Sequence, residues 1–522
     1  MRWKTGRTLG SPMIIFIAAL ALVGFILYTP NEEQLLPEKA VDNEVAPPPH
    51  QLDLLAFWHE RASIAQQAGQ PDVAANYQKR LDAYELGLPA ASAGIYASGL
   101  NDVPVGTFDL YLQSPAAAPA KTGGAAAKTS STHRTLAKHE PASGVYLGML
   151  GADRRVGYDV TKVESVYGKK HAIYLAYVGW RKVQTDTNTY FPTRTAERIK
   201  ALDGAIQIGW EPRYGLDDVK DDEYVRRFAR EAKEAGLPVF LRYASEMNGS
   251  WVPWYDEPKK FIEKFRLIHD IMEQEAPNVA MVWSPNFWPP DTIDDYYPGD
   301  EYVDWVGFSL YNSPYTNGKE QLFGSVIDTF APLYDRYSHK PIMIAEGAIA
   351  HTHLPTNTAY PTWGETQLAY MYGLLPRMFP QVKGITYFNF SRAQAQRTNA
   401  EFVYDIGENM YMDGIYRRMA RSDLYLSKVE HGKDPMPNPY KKLAGASIPP
   451  GSQSVMIYPK LENPKGEAPF AIALYQGDRL LGVSYEAPWE MAVEIRPETA
   501  SKPWYTVAYN MNMEPVSISS RP

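Results

Sequence analysis

The chain has 522 residues, with 60 acidic against 52 basic side chains and a formal net charge of -8. This length exceeds one typical core, so we expect two or three folded parts. A net negative charge does not favour binding to nucleic acid, which is itself negatively charged. The sequence contains no cysteine, which excludes disulfides, thiolate metal sites and a cysteine nucleophile.

The N-terminus carries a basic segment and then an apolar one. Three basic residues among the first seven precede the apolar run Met13–Tyr28, and no charge occurs over residues 8–31. Positive charge before such a run predicts a signal anchor at residues 1–31, with the remaining chain outside the cytoplasm, in the periplasm or at the cell surface. The alternative is a cleaved signal peptide, because Ala19-Leu20-Ala21 has the small-x-small pattern of a cleavage site.

Residues 32–142 are predicted to contain a helical hairpin and a flexible linker. Apolar residues recur at helical spacing within Gln51–Leu86, on both sides of a Gly-Gln-Pro turn. The hairpin resembles one tetratricopeptide-type unit, which cannot bury its own apolar face. We therefore expect a collar packed on the catalytic domain, or a stalk. Thr107–Leu112 is a candidate strand, and Ser114–Ala142 has the composition of a flexible linker.

Short apolar runs alternate with helical patterns between residues 143 and 430. The eight runs are Gly144–Leu150, His171–Val178, Asp203–Ile208, Val239–Tyr243, Val279–Ser284, Val303–Leu310, Pro341–Ala345 and Gly384–Phe390. Helical patterns occupy Asp221–Ala235, Pro258–Gln274, Gln321–Tyr337 and Thr366–Met378. Strands alternating with helices over this length predict an α/β fold, the (β/α)8 TIM barrel, whose active site lies at the carboxyl ends of its strands.

A polar, proline-containing linker over Leu426–Ile448 separates the barrel from the C-terminal segment. Residues 450–522 show short alternating runs separated by turn residues. This pattern predicts a small β-sandwich accessory domain.

Two glutamates stand at the carboxyl ends of predicted strands. Glu246 follows the fourth strand, and Glu346 ends the seventh after four apolar residues. An idle carboxylate in such surroundings is costly. Two carboxyl groups are what glycoside hydrolysis requires, one to protonate the leaving oxygen and one to attack or to activate water. The structural alternative for Glu246 is an ion pair with Arg242 or Arg213.

Three motifs near these glutamates carry a family resemblance. RYASEMNGSWVPW (Arg242–Trp254), VDWVGFSLYN (Val303–Asn312) and KPIMIAEGA (Lys340–Ala348) resemble the signature strands of family 26 glycoside hydrolases, over about Ser143–Val429. That family consists mostly of endo-β-1,4-mannanases of the retaining (β/α)8 clan. The resemblance implies that Glu246 is the acid/base and Glu346 the nucleophile. It also implies that Trp251 stacks on sugar and that Tyr311 hydrogen-bonds the nucleophile.

One position departs from the family pattern. The residue before the acid/base is usually His in this family, and here it is Ser245. Because this position lies near the sugar, the change puts mannan specificity in question and leaves mixed-linkage β-glucan, β-1,3-xylan or an exopolysaccharide as alternatives. A transglycosylase and a non-catalytic carbohydrate-binding barrel are further alternatives.

The remaining site predictions concern substrate contacts. The residues expected to bind substrate are Arg242, Ser245, Asn248, Trp251, Trp254, Trp283, Tyr311 and Tyr387. Weaker candidates are Trp180, Trp210, Trp288, Arg213, Asn286 and Asn389, and a possible glycan platform of Trp489, Trp504 and Tyr505 that is more typical of a core. His351-x-His353 is interpreted as loop because no carboxylate stands nearby at ligand spacing. We expect no cofactor or metal, a polysaccharide as partner, membrane contact through the anchor, no nucleic acid, and a monomer.

Overall fold

A computed structural model describes residues 54–88, 100, 102–113, 135–183, 185–316, 318–397, 400–429, 440–444, 448–460, 468–477 and 479–520. The predicted anchor and residues 114–134 of the predicted linker lie outside the described residues. Within the described ranges, no helix combines the length and the apolarity needed to cross a bilayer.

The predicted barrel is present. Its strands are β1 (Val145–Ala152), β2 (Ile173–Gly179), β3 (Ala205–Glu211), β4 (Val239–Tyr243), β5 (Val279–Trp283), β6 (Trp305–Asn312), β7 (Ile342–Ile349) and β8 (Val382–Phe390). Each strand pairs in parallel with the next, and β8 pairs with β1 from Gly384–Tyr146 to Phe390–Ala152, which closes the ring. The carboxyl ends of all eight strands therefore meet on one face.

Large side chains fill the amino-terminal end of the barrel interior. Tyr146, Phe240 and Trp305 pack there, with centroids of the Phe240 and Trp305 rings 5.4 Å apart. The Trp305 indole donates to the Lys138 carbonyl at 2.8 Å, and the Tyr146 hydroxyl donates to the His139 carbonyl at 2.8 Å. The described end of the predicted flexible linker is therefore a fixed cover on the barrel, and the linker prediction is wrong there. Composition did not reveal these contacts, because their partners lie far along the chain.

Helices surround the barrel. They are Val163–Tyr167, Thr193–Ala201, Glu223–Ala235, Pro258–Glu275, Val326–Tyr337, Pro361–Ala369, Leu375–Met378, Arg392–Arg397 and Met410–Ala420, with a π-helical turn at Tyr370–Leu374. Glu223–Ala235 shows how the sequence sets their bounds. The Asp222 side chain accepts from the Val225 amide at its start, and Gly236 ends it in the left-handed conformation, with φ of 64°.

Two helices precede the barrel in the chain and pack against it. They are Leu54–Gln67 and Pro71–Leu86. Arg80 donates to both carboxylate oxygens of Glu365, at 2.9 and 2.6 Å, and this buried bidentate pair joins the hairpin to the barrel. Trp58 packs on Phe470 of the C-terminal segment, with ring centroids 5.6 Å apart. The hairpin therefore buries its apolar face against both neighbouring parts, as expected of a collar.

The C-terminal segment forms two four-stranded antiparallel sheets. In pairing order, the first holds Lys441–Lys442, Thr107–Gln113, Gly451–Lys460 and Glu490–Ile495, and the second holds Arg479–Ser484, Ala471–Gln476, Trp504–Tyr509 and Pro515–Ile518. Thr107–Gln113 thus belongs with this unit rather than with the helical hairpin, which corrects the predicted boundaries. Trp489 and Tyr505 are buried, so they serve as core rather than as a glycan platform.

Candidate active site

Glu346 lies on β7. Its side chain faces the barrel interior because the inward and outward alternation of side chains along β7 is interrupted just before it. Met343 and Ala345 belong to the cluster that fills the barrel interior, so strict alternation would turn the next side chain outward. The pairing of β7 with both neighbouring strands shifts register just after Ile344. Such an irregularity re-aims side chains, and here Glu346 faces inward. The Gln207 amide donates to the Ala345 carbonyl at 2.5 Å.

Three donors hold the Glu346 carboxylate. The Arg242 Nη1 donates to its Oε2 at 2.8 Å, and both side chains are fully buried. The Tyr177 hydroxyl also donates to Oε2, and the Tyr311 hydroxyl donates to Oε1. A guanidinium and two hydroxyl groups therefore stabilise negative charge on Glu346.

Glu246 stands on a strained turn just after β4. Ala244 and Glu246 have φ of 47° and 60°, the left-handed region that non-glycine residues seldom adopt. The Glu246 amide donates to the Ser284 carbonyl at 2.7 Å, which fixes the turn against β5. Backbone strain of this kind costs about 1–3 kcal/mol per residue and is typical of functional sites.

The Glu246 carboxyl is buried and receives side-chain hydrogen bonds from Ser309, Trp251 and Asn286. Asn286 Nδ2 lies 2.9 Å from its Oε1, and Trp251 Nε1 lies 2.7 Å from its Oε2. Burial raises the pKa of Glu246, and the negative charge of Glu346 raises it further, while these hydrogen bonds oppose the shift. The net upward shift favours a protonated carboxyl, which is the form that a general acid needs.

Two predicted substrate contacts point away from the barrel interior. Trp283 is fully buried and donates to the Tyr296 carbonyl at 3.0 Å. Tyr387 is also fully buried, and its hydroxyl donates to the Tyr404 carbonyl at 2.9 Å. Both predictions are wrong, because the period of a strand gives two faces and neither run reveals which face is inside. Trp180 and Trp210 are likewise buried and stack on each other at 4.5 Å.

Other predicted contacts support the site from behind. Asn248 is fully buried; its Nδ2 donates to the Asn286 and Pro289 carbonyls at 3.0 Å, and its Oδ1 accepts from the Asn286 amide at 2.9 Å. The buried Trp254 indole donates to the Ser245 carbonyl at 2.9 Å. Asn248 and Trp254 thus position the loop that carries Glu246, and contact with substrate stays a prediction for both.

Sequence reasoning missed four side chains of this site. Tyr177 reaches Glu346 because Gly209 leaves room for its ring, since a Cβ there would lie 2.7 Å from the ring. Ser284 and Ser309 accept from Arg242 Nε and Nη2 at 3.0 and 3.1 Å. The fourth is Glu211, described further below. The predicted third strand ended at residue 208, so the glutamate three residues later was not recognised as a strand-end carboxyl.

The two predicted loop histidines have local partners. His351 Nε2 lies 2.9 Å from the Asp405 carbonyl oxygen, and His353 Nε2 lies 3.1 Å from a Glu401 carboxylate oxygen. Across the described residues, no group of three or more His, Asp or Glu side chains is arranged to hold a metal ion.

The face that carries the two glutamates also exposes apolar side chains. Val183, Tyr214, Trp288 and Phe323 are 44–51 % exposed, and each lies on a loop that follows the carboxyl end of a strand. Among the described barrel residues of 143–429, these are the large apolar side chains with high exposure.

Comparison with known proteins places this geometry in a family. Residues 219–353, which span β4 to β7 and contain both Glu246 and Glu346, match the model of glycosyl hydrolase family 26. This part of the barrel is therefore similar to that family.

Curated proteins that are similar to this chain have different substrates in their names. Endoglucanase H of Acetivibrio thermocellus is 29% identical over 232 residues, covering 40% of this chain and 24% of that protein. The β-1,3-xylanase TXYA of a Vibrio species is 30% identical over 115 residues, covering 20% and 25%. Mannan endo-1,4-β-mannosidase A and B of Caldalkalibacillus mannanilyticus is 30% identical over 93 residues, covering 16% and 18%. The chain thus spans at most a quarter of these relatives.

Proposed function

We propose that this protein is a retaining endo-β-glycanase in which Glu346 is the nucleophile and Glu246 the acid/base. The observation that carries the proposal is the unlike surroundings of two buried carboxyl groups on one face of the barrel. Arg242 and two tyrosine hydroxyls surround Glu346, whereas burial raises the pKa of Glu246. Environments that separate an ionised carboxylate from a protonated one assign the roles of nucleophile and acid.

The proposed reaction has two steps. The Glu346 carboxylate attacks the anomeric carbon while Glu246 gives its proton to the glycosidic oxygen, so the first sugar product leaves and a glycosyl ester forms. Glu246, now ionised, takes a proton from water, and the water oxygen displaces Glu346 from the anomeric carbon. Each carboxyl group ends the cycle in its starting state.

A polysaccharide is the proposed substrate. Exposed apolar side chains stand on four loops that follow the carboxyl ends of β2, β3, β5 and β6, and Tyr214 and Trp288 are among them. Such side chains suit the apolar faces of sugar units along a chain. The similarity of residues 219–353 to family 26 makes β-mannan the first polymer to test. The glucan, xylan and mannan names of the relatives and the serine at residue 245 keep mixed-linkage β-glucan, β-1,3-xylan and exopolysaccharides on the panel.

We further infer that the enzyme works outside the cytoplasm, anchored by residues 1–31. The support is the basic segment followed by the apolar run Met13–Tyr28. Fractionation of cells that produce the full chain, with carbonate extraction of the membranes, is expected to leave the protein in the membrane pellet. Release into the soluble periplasmic or culture fraction would instead indicate cleavage.

The test of the proposed activity compares the full chain with its Glu346→Ala variant on the polymer panel. We expect new reducing ends from at least one polymer, retained anomeric configuration in the first product, and no turnover in the variant. Equal activity of the two proteins would refute the proposed nucleophile, and an inverted product would refute the two-step route. Products longer than the substrate would identify transglycosylation.

A further inference from the structure

A third buried carboxyl group, Glu211, stands beside the two proposed catalytic groups. It is the last residue of β3, and its neighbour Trp210 pairs with Tyr243 of β4. The Ala244 amide donates to the Trp210 carbonyl at 2.9 Å, so Glu211 lies next to the turn that carries Glu246. Gln207 and Gly209, at alternate positions below it, face the interior, and alternation therefore directs Glu211 inward as well.

Glu211 has no hydrogen-bond partner among the described residues. Its side chain is 0% exposed, and neither carboxyl oxygen is bonded. Leaving a buried acceptor without a donor is expensive, so nearly all such groups in folded proteins are paired. Such a carboxyl group is available to a ligand that can form a hydrogen bond with it.

The charges around Glu211 determine which ligand fits. The negative charges of Glu346 and Glu246 both raise the pKa of Glu211, and the Arg242 guanidinium already pairs with Glu346. Arg213 favours the ionised form, but burial outweighs it and raises the pKa of Glu211 well above the usual range of a glutamate. These surroundings favour the neutral carboxyl group, which offers one O–H donor and one carbonyl acceptor. A neutral sugar hydroxyl, itself both donor and acceptor, complements that pair.

We propose that Glu211 is a specificity-determining residue that, as an uncharged carboxylic acid, bonds a hydroxyl group of the neutral sugar unit held next to Glu246 and Glu346. A uronate unit in that position would meet the carboxylate of Glu346, which disfavours it relative to a neutral sugar. The inference rests on the proposed glycanase function and deepens it.

The Ser245 hydroxyl is a second unpartnered group on the same edge. Its Oγ is buried and has no partner among the described residues. Ser245 follows Ala244, whose amide donates a hydrogen bond to the Trp210 carbonyl near the end of β3. Two unsatisfied polar groups at adjoining strand ends suit a ligand that carries more than one hydroxyl, as a sugar ring does.

The experiment uses the full chain with Glu211→Gln, Glu211→Ala and a matched control, Tyr243→Phe. Tyr243 has a buried hydroxyl that is also unpartnered in the described chain, but its ring packs outward on Phe261. We would measure kcat and KM on the active polymer, and thermal unfolding of every variant. In the Glu346→Ala background, calorimetry would measure binding of β-1,4-manno-, mixed-linkage β-gluco- and β-1,3-xylo-hexasaccharides.

We expect Glu211→Ala to weaken hexasaccharide binding and kcat/KM by about tenfold or more, because a bound hydroxyl loses its partner. Glu211→Gln should stay within a few-fold of the parent, since an amide is also a neutral donor and acceptor. Both variants, like Tyr243→Phe, should unfold at or above the parental temperature, because each removes or replaces an unsatisfied buried group.

Three results would overturn the proposal. A glutamine variant as impaired as the alanine variant would show that an ionised carboxylate is required. A lower unfolding temperature with unchanged KM and binding would show a structural role. Absence of both turnover and binding in the parental proteins would refute the inference together with the proposed function, whereas binding that depends on Glu211 without turnover would refute the proposed function alone.

Discussion

The hydrogen bond from Trp251 to Glu246 predicts how the pH range of the enzyme responds to one substitution. Trp251 Nε1 lies 2.7 Å from Glu246 Oε2, and this bond favours the ionised carboxylate, so it lowers the pKa that burial raises. A hydrogen bond to a charged group contributes about 1.5–3 kcal/mol, and one pKa unit corresponds to about 1.4 kcal/mol. Trp251→Phe should therefore raise the pKa of Glu246 by about 1–2 units.

The assay is kcat/KM as a function of pH, because this ratio reports ionisation in the free enzyme. A general acid works while it is protonated, so a higher pKa moves the basic limb of the profile to higher pH by the same amount. The control is Trp254→Phe, which removes an indole donor from the Ser245 carbonyl rather than from a carboxyl group; we expect its basic limb to stay in place. A basic limb that is unmoved or lowered in Trp251→Phe would refute the assignment of Glu246 as the acid.

Three further substitutions test the supports of the site. Arg242→Met should lower the free energy of unfolding by about 3–5 kcal/mol in urea titrations, because it leaves buried Glu346 without its cation, while Arg226→Met, in an exposed ion pair, should change it little. Asn248→Ala should cost about 3 kcal/mol of stability and also lower kcat/KM, because its three hydrogen bonds brace the loop; full activity would contradict that role. Burial raises the pKa of Asp405 to about 7, so its contribution to stability is present at low pH and is lost as pH rises through 7. Asp405→Asn should accordingly raise the unfolding temperature at pH 8 and leave it nearly unchanged at about pH 3, below the ordinary pKa of an aspartate, and an equal shift at both would contradict the pKa.

The barrel and its two glutamates were predictable because their signals are local. A continuous apolar run of strand length indicates a strand that is buried on both faces of the sheet. Each helix between two strands has its own apolar periodicity and its own capping residues. The run Val239–Tyr243 was predicted to the residue, and the others within a few positions. Counting such runs predicts a barrel, and a barrel places strand-end carboxyl groups on one face.

The direction of side chains was not predictable from the same signals. Trp283 and Tyr387 lie on correctly predicted strands, yet they face the helices. Glu346 faces inward only because the register of β7 shifts after Ile344. A strand buried on both faces has no amphipathic pattern to orient it, so contacts with neighbouring strands decide which residues line the interior.

By itself, the sequence determined the barrel, the position of Glu246 and Glu346 along it, and the family resemblance that those motifs carry. The tertiary structure alone decided which groups surround each carboxyl and that Glu211 joins them. It also decided that Thr107–Gln113 pairs with Gly451–Lys460, although the whole barrel lies between these two strands in the sequence. The physical reason is range. Apolar periodicity acts between residues a few positions apart, whereas hydrogen bonds, burial and pKa shifts depend on groups that the fold brings together from distant parts of the chain.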